Sequence, residues 1–163
     1  MNKAAKIALA EDPPLEIERK FLVKRLPRKL SSFPHEEIAQ GYLATEKSGV
    51  QVRLRKKGGM LTLTCKRPAK FGREEREIVL TRRQFTALWP GTDGRRLVKV
   101  RYEIPWRGRT IEVDVYQEGH RGLIVAEVEF PDQESCISFK PPSWFGEDVT
   151  GDARYSNVVL ARG

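Results

Sequence analysis

In the stretch LEIERKFLV, near the start of the chain, Glu16, Glu18 and Lys20 occupy every second position, alternating with residues that include Ile17 and Phe21. On an extended strand this spacing sets two carboxylates and an ammonium on one face. Glu127 and Glu129 repeat the spacing late in the chain, and Arg53 and Arg55 repeat it with guanidinium groups. Paired carboxylates suit a hard divalent cation such as Mg2+ or Mn2+, because the ion removes their repulsion. Paired guanidiniums need an anion, and their planar forks match phosphate oxygens through two hydrogen bonds at once. Lys66, Lys99 and Arg101 add positive charge in the same pattern. A metal together with a polyphosphate satisfies both kinds of cluster.

The elements that must position these residues are mostly strands. EIERKFLV, GVQVRLRKK, MLTLTCKR, REEREIVL, LVKVRYEIP, RTIEVDVYQ and LIVAEVEF alternate polar with apolar residues, and AQGYLAT supplies one more, which makes about eight strands. Gly58-Gly59 and the Arg107-Gly108 corner separate such runs at hairpin distance. In TRRQFTALWPG, Thr81 can cap a helix that buries Phe85, Leu88 and Trp89 and ends at Pro90-Gly91. A shorter helix is predicted over 132–139, and Tyr155, Val158 and Val159 stand at helical spacing near the end. PPSWFGEDVTG between them reads as a turn-rich loop. Residues 1–14 read as a mobile arm ending in Pro13-Pro14, and residues 15–163 as one domain.

Sorted by parity, one strand face carries Glu16, Glu18, Lys20, Arg53, Arg55, Lys66, Glu75, Glu77, Lys99, Arg101, Glu112, Asp114, Glu127 and Glu129. The other is apolar, from Ile17 and Phe21 through Leu54, Leu63, Ile78 and Val113 to Val128 and Phe130, and needs helices or another layer to cover it. Arg73 and Arg82 are placed outside the charged face. An ordinary sheet with a wet outer face explains one or two such strands, but a solvated face also mixes in Thr, Ser, Gln and Asn. Here almost every position is ionised, and like charges recur two residues apart, which costs energy unless something lies between them. About eight strands can close into a barrel with this charge inside and the apolar face turned outward.

The chain has 163 residues, a formal charge of +8, 39% hydrophobic and 32% charged residues, the balance of a folded domain with an anionic partner. The opening residues lack the long apolar run of a signal peptide and no stretch matches a membrane span, so the cytoplasm is the expected location. Cys65 and Cys136 lack the partners of a nucleophilic or metal site, as do His35 and His120, and Trp144 and Phe145 read as core anchors.

The ordered set Glu16-x-Glu18-x-Lys20, QGYL, VRLR, LTCK, EREI, KVRYEI, EVDVY, AEVEF, PPSWFGEDVT and Arg154-Tyr155 resembles the CYTH domains, or triphosphate tunnel metalloenzymes, over nearly the whole chain from Leu15. The resemblance implies an all-β dominated (α+β) fold: a closed antiparallel tunnel with a charged lumen, a few flanking helices, a triphosphate and one or two divalent cations. By the same resemblance Glu16, Glu18, Glu127 and Glu129 are the leading metal ligands, with Asp114 and any of Glu75, Glu77 or Glu112 in support. Arg53, Arg55, Lys66, Lys99 and Arg101 grip the phosphates, joined by Arg154 from the C-terminal helix. Lys20 either orients or deprotonates the attacking water, or serves only as a phosphate ligand. Base action would require a lowered lysine pKa.

The expected reaction is metal-dependent hydrolysis of inorganic triphosphate to pyrophosphate and phosphate. Thiamine triphosphate, nucleoside triphosphates and adenylate cyclisation remain open within the same resemblance, as does a homodimer. A polyphosphate- or RNA-binding module would use the basic residues but gains nothing from the paired acids, so no specific nucleic-acid or membrane partner is expected.

Overall fold

The computed structural model describes residues 14–163. Of the expected N-terminal arm only Pro14 falls within these, its carbonyl accepting a hydrogen bond from the Glu75 amide, and the rest lies outside the described residues. All eight alternating segments form strands: β1 (Leu15–Val23), β2 (His35–Thr45), β3 (Gln51–Lys57), β4 (Met60–Pro68), β5 (Arg73–Val79), β6 (Arg96–Trp106), β7 (Arg109–Tyr116) and β8 (Ile124–Phe130). They lie in the order β5-β4-β3-β2-β6-β7-β8-β1, and β1 pairs back to β5 through Leu15 with Glu74 and Glu16 with Arg73. Every pairing is antiparallel, and the ring of eight strands closes into a barrel.

Helix α1 (Arg82–Leu88) begins as its sequence predicts, with Thr81 and Gln84 forming a reciprocal capping box. Helix α2 (Gln133–Ser138) is capped by Asp132, and α3 (Asn157–Leu160) is a single turn capped by Ser156. Two expectations are corrected. Within PPSWFGEDVTG, Phe145–Asp148 is not loop but a ninth strand, β9, laid on the edge of β1 beyond the short stretch that β5 occupies. In the C-terminal helix Leu160 faces inward while Val159 stays exposed, because a 3-10 turn at Ala153–Tyr155 resets the helical phase.

The alternating strands sort as their parity requires, and the apolar face lies outside the barrel. Ile17, Phe21, Ile104, Ile111, Val113, Val128, Phe130 and Phe145 form its main core, against which Cys136, Phe139 and Trp144 pack from α2 and the β9 segment. Leu54, Leu80 and Phe85 form a smaller core under α1. Ile78 is the exception: no helix reaches that part of β5, and it is 59% exposed. A third cluster, Tyr42, Leu97, Tyr116 and Val125 with Leu160 and Ala161, uses the inward strand parity, so one end of the lumen is plugged by apolar side chains beneath α3.

Closure depends on the tight turn before β5. Gly72 adopts φ 73°, its carbonyl accepts from the Ala69 amide, and a β-carbon there would collide with the Glu16 carbonyl oxygen. Gly72→Ala is expected to destabilise the protein by about 2 kcal/mol, combining the left-handed backbone cost with displacement of β1 from β5. Urea unfolding measures this, and an unchanged midpoint would show that the seam yields freely.

Candidate active site

The strand parity that sends Ile17 and Phe21 outward sends Glu16, Glu18 and Lys20 into a cavity of about 350 Å³ in the barrel. Across the β1–β8 pairing Glu18 lies opposite Glu129 and Lys20 opposite Glu127. The inward residues then divide into three groups.

The first is acidic. One carboxylate oxygen from each of Glu16, Glu18 and Glu129 can be chosen so that all lie within 4.8 Å of one another. Burial, followed by the charges of Glu127 and Glu16, pushes the Glu18 carboxyl up to about 7 from its ordinary 4.5. Burial, with Glu112 and Glu16 nearby, also raises Glu129. Carboxylates crowded this way resist ionisation unless a cation joins them, so the donor set fits a hard divalent metal. Lys66 neutralises one member, its Nζ lying 2.7 Å from both Glu16 oxygens and 2.9 Å from Glu75.

The second group is a buried ion-pair chain across β1, β8, β6 and β7. Lys20 Nζ lies 2.9 Å from Glu127, whose other oxygen accepts from Arg101 at 2.8 Å. Arg101 also clamps both Asp114 oxygens at 2.7 Å and pairs with Glu112, while Lys99 donates to Asp114 at 2.5 Å. Burial opposes ionisation of Glu127, but Lys20, Arg101 and Lys99 hold it well below the ordinary carboxylate range. Burial pushes Lys99 down to about 8 against the pull of Asp114. On Lys20 burial is outweighed by Glu127 and Glu18, which raise its pKa, the opposite of what proton abstraction requires.

The third group is basic and incompletely satisfied. Arg53 is buried, yet its Nε has no partner, and its Nη2 reaches only Thr64 at 3.5 Å and Glu75 at 3.9 Å. Arg55 pairs with Glu77 at 3.2 Å, and burial together with Arg53 lowers its pKa. Guanidinium groups held in this way have hydrogen bonds left for an entering oxyanion.

Several expected site residues are placed differently. Asp114 is fully buried behind Lys99 and Arg101, so its oxygens are filled by cations rather than turned toward the acidic cluster. Glu127 lines the cavity but is likewise engaged by Lys20 and Arg101. Arg154 sits on the exposed 3-10 turn, binds Asp152 and is not among the residues lining the cavity. Glu77 supports Arg55 and Thr64 from beside the cavity, whereas Glu75 and Glu112 line it. Arg73, placed outside the charged face from the sequence, shares the inward parity of Glu75 and lines the cavity.

The lining also includes Gln40, Tyr42, Gln51 and Lys57, together with residues 149–153 and 156–158. Gln40 and Tyr42 share an inward parity that their sequence carried, and Gln40 donates to the Tyr42 hydroxyl at 3.1 Å. Nothing in the sequence marks the C-terminal contacts, in which the Lys20 amide donates to Thr150 Oγ1 at 3.0 Å and Lys20 Nζ reaches the Tyr155 carbonyl at 3.4 Å.

The CYTH domain family model matches residues 14–139. The chain is 42% identical over 149 residues to an inorganic triphosphatase of Nitrosomonas europaea, spanning 90% of this chain and 96% of that protein. It is 32% identical to an inorganic triphosphatase of Acetivibrio thermocellus, over 90% of this chain and 93% of the relative. A crystal structure of an inorganic triphosphatase matches with a TM-score of 0.68 at 38% identity, over 94% of this chain and 98% of that one.

The raised Glu18 pKa has a thermodynamic consequence. A protonated Glu18 favours the folded state, so its contribution is fully present below about pH 4.5 and is lost as pH rises through about 7. In chelator, the wild-type unfolding midpoint in urea is expected to fall more between about pH 5 and about pH 8 than that of Glu18→Gln, whose amide mimics the protonated acid. Parallel pH profiles for the two proteins would refute this.

Proposed function

Because the chain belongs to the CYTH domain family, we propose that it hydrolyses inorganic triphosphate to pyrophosphate and phosphate with the help of a divalent cation. The observation that carries this reading is the adjacency, in one closed lumen, of a crowded carboxylate cluster and guanidinium groups with unfilled hydrogen bonds. A polyphosphate chain with its counter-cation completes both. Identity of 42% to a relative named an inorganic triphosphatase, aligned over nearly the full length of both chains, supports the substrate.

Glu16, Glu18 and Glu129 would hold Mg2+ or Mn2+, which would supply charge neutralisation on the phosphoryl oxygens. Lys66, which pairs with Glu16 and Glu75, would donate to a phosphate oxygen once Glu16 held the cation. Arg53 and Arg55 bind the triphosphate through paired hydrogen bonds, and Arg73 extends the cationic wall. Lys99 and Arg101 set the potential at the lumen floor, with Asp114 holding both in place. The terminal phosphorus is attacked by water in line with the departing pyrophosphate, and positioning with charge stabilisation provides most of the acceleration. Lys20 remains an ammonium, donating to a phosphate oxygen and fixing the orientation of Glu127.

Integration of β9 and the C-terminal segment into the barrel supports a single catalytic domain over residues 15–163, and the free Cys65 and Cys136 support the cytoplasmic setting. No helix among the described residues is long and apolar enough to cross a membrane.

The direct test is phosphate release from tripolyphosphate with and without magnesium, alongside thiamine triphosphate and nucleoside triphosphates. Tripolyphosphate is expected to turn over fastest, and full activity in excess chelator would overturn the metal assignment. Arg55→Ala should weaken triphosphate binding by about 1.5 to 3 kcal/mol, while Arg82→Ala, on α1 outside the barrel, should leave it nearly intact. Equal losses would point to diffuse charge. Lys20→Ala should raise KM, with Lys20→Arg recovering part of the loss, because an ammonium donor is replaced by another cation. A loss confined to kcat and shared by both variants would instead make Lys20 the base.

A further inference from the structure

Outside the barrel, a groove of about 250 Å³ lies between the β6–β7 hairpin and α2. Its chemistry differs from that of the lumen. Arg107, Arg109 and Lys140 line it, yet no side chain among the described residues forms a hydrogen bond or ion pair with any of the three. Two are held against aromatic rings instead: Arg107 lies 5.5 Å from the Trp106 ring centroid and Arg109 5.1 Å from that of Phe130. Such contacts steady a guanidinium while leaving its N–H groups free. No carboxylate lines the groove, and Asp132, whose charge Arg109 favours, is occupied in capping α2.

Trp106 lines the groove, and its indole N–H is buried without an acceptor among the described residues. Arg107 also adopts φ 46° in the two-residue corner with Gly108, where a non-glycine residue is strained and Asn or Gly is favoured. The strain is explained if the guanidinium at the mouth of the groove has a use. Ser135 and Ser138 on α2 supply hydroxyls on the facing side.

We propose that this groove is a second anion site, separate from the lumen, that binds a small, multiply charged phosphate-type oxyanion of the size of pyrophosphate. Three unpaired cations call for a ligand with more than one negative charge. The volume lies below the roughly 300 to 1,000 Å³ typical of sites for drug-sized ligands, which favours a compact anion over a nucleoside derivative.

The test is a titration of the full chain with inorganic pyrophosphate in chelator, following the indole N–H resonances of the three tryptophans and assigning that of Trp106 with Trp106→Phe. The Trp106 signal is expected to shift saturably. Arg107→Gly, which suits the positive φ and so retains the fold, and Arg109→Gln should each raise the half-saturating concentration about tenfold. Sodium chloride at matched ionic strength should leave the signal in place, and acetate should bind far more weakly. An absent or non-saturating shift, an equal response to chloride or acetate, or unchanged saturation in both variants would overturn the proposal. Pyrophosphate entering the lumen would not be mistaken for this site, because Trp106 packs against the outer core.

Discussion

The structure depends on the pairing of charges that a closed barrel removes from water. Lys20, Glu127, Arg101, Asp114 and Lys99 form one continuous chain from β1 through β8, β6 and β7, and each would be costly if left alone. Their pairing fixes which strand faces which, since a slip of one residue would turn every member toward the apolar exterior. The stabilisation comes from the outer apolar cores, while the ion chain selects the register.

That chain leaves an uneven remainder. Glu16, Glu18 and Glu129 share one side of the lumen with too little positive charge, and Arg53 and Arg55 share another with too few acceptors. Lys66 spans the difference by binding Glu16 and Glu75 together. A lumen balanced everywhere would hold a salt-bridge lattice and bind little. Separated deficits of opposite sign fit a ligand that brings both anion and cation, and so electrostatic frustration within a rigid frame is the source of the proposed specificity.

The apolar plug and the C-terminal segment decide how the lumen ends. Tyr116 places its ring beneath Lys99 and its hydroxyl on Asn157 at 2.6 Å, joining the charged floor to the cap of the barrel. His120 adds a second tie, its Nε2 lying 2.6 Å from the Leu160 carbonyl. Thr150 and Tyr155 reach Lys20 from the same segment, so the first strand and the C-terminal segment meet at one lysine.

Period two in the sequence determined the eight strands, the inward set of charges and the barrel, because alternation in a closed sheet admits only an inside and an outside. Thr81 and Asp132 marked their helices, since capping is local chemistry. Arg73 and the pair Gln40 and Tyr42 were legible by the same parity, although polar uncharged residues signal it weakly. Which carboxylates cluster was settled only by tertiary structure. Glu127 and Glu129 are equivalent in spacing, yet the cross-strand register sets one against Lys20 and the other against Glu18, so one becomes part of an ion chain and the other part of the acidic cluster. The ion pairs of Asp114 with Arg101 and of Arg154 with Asp152 were settled in the same way, because nearness across strands or around a turn is a property of the folded chain that sequence spacing does not contain.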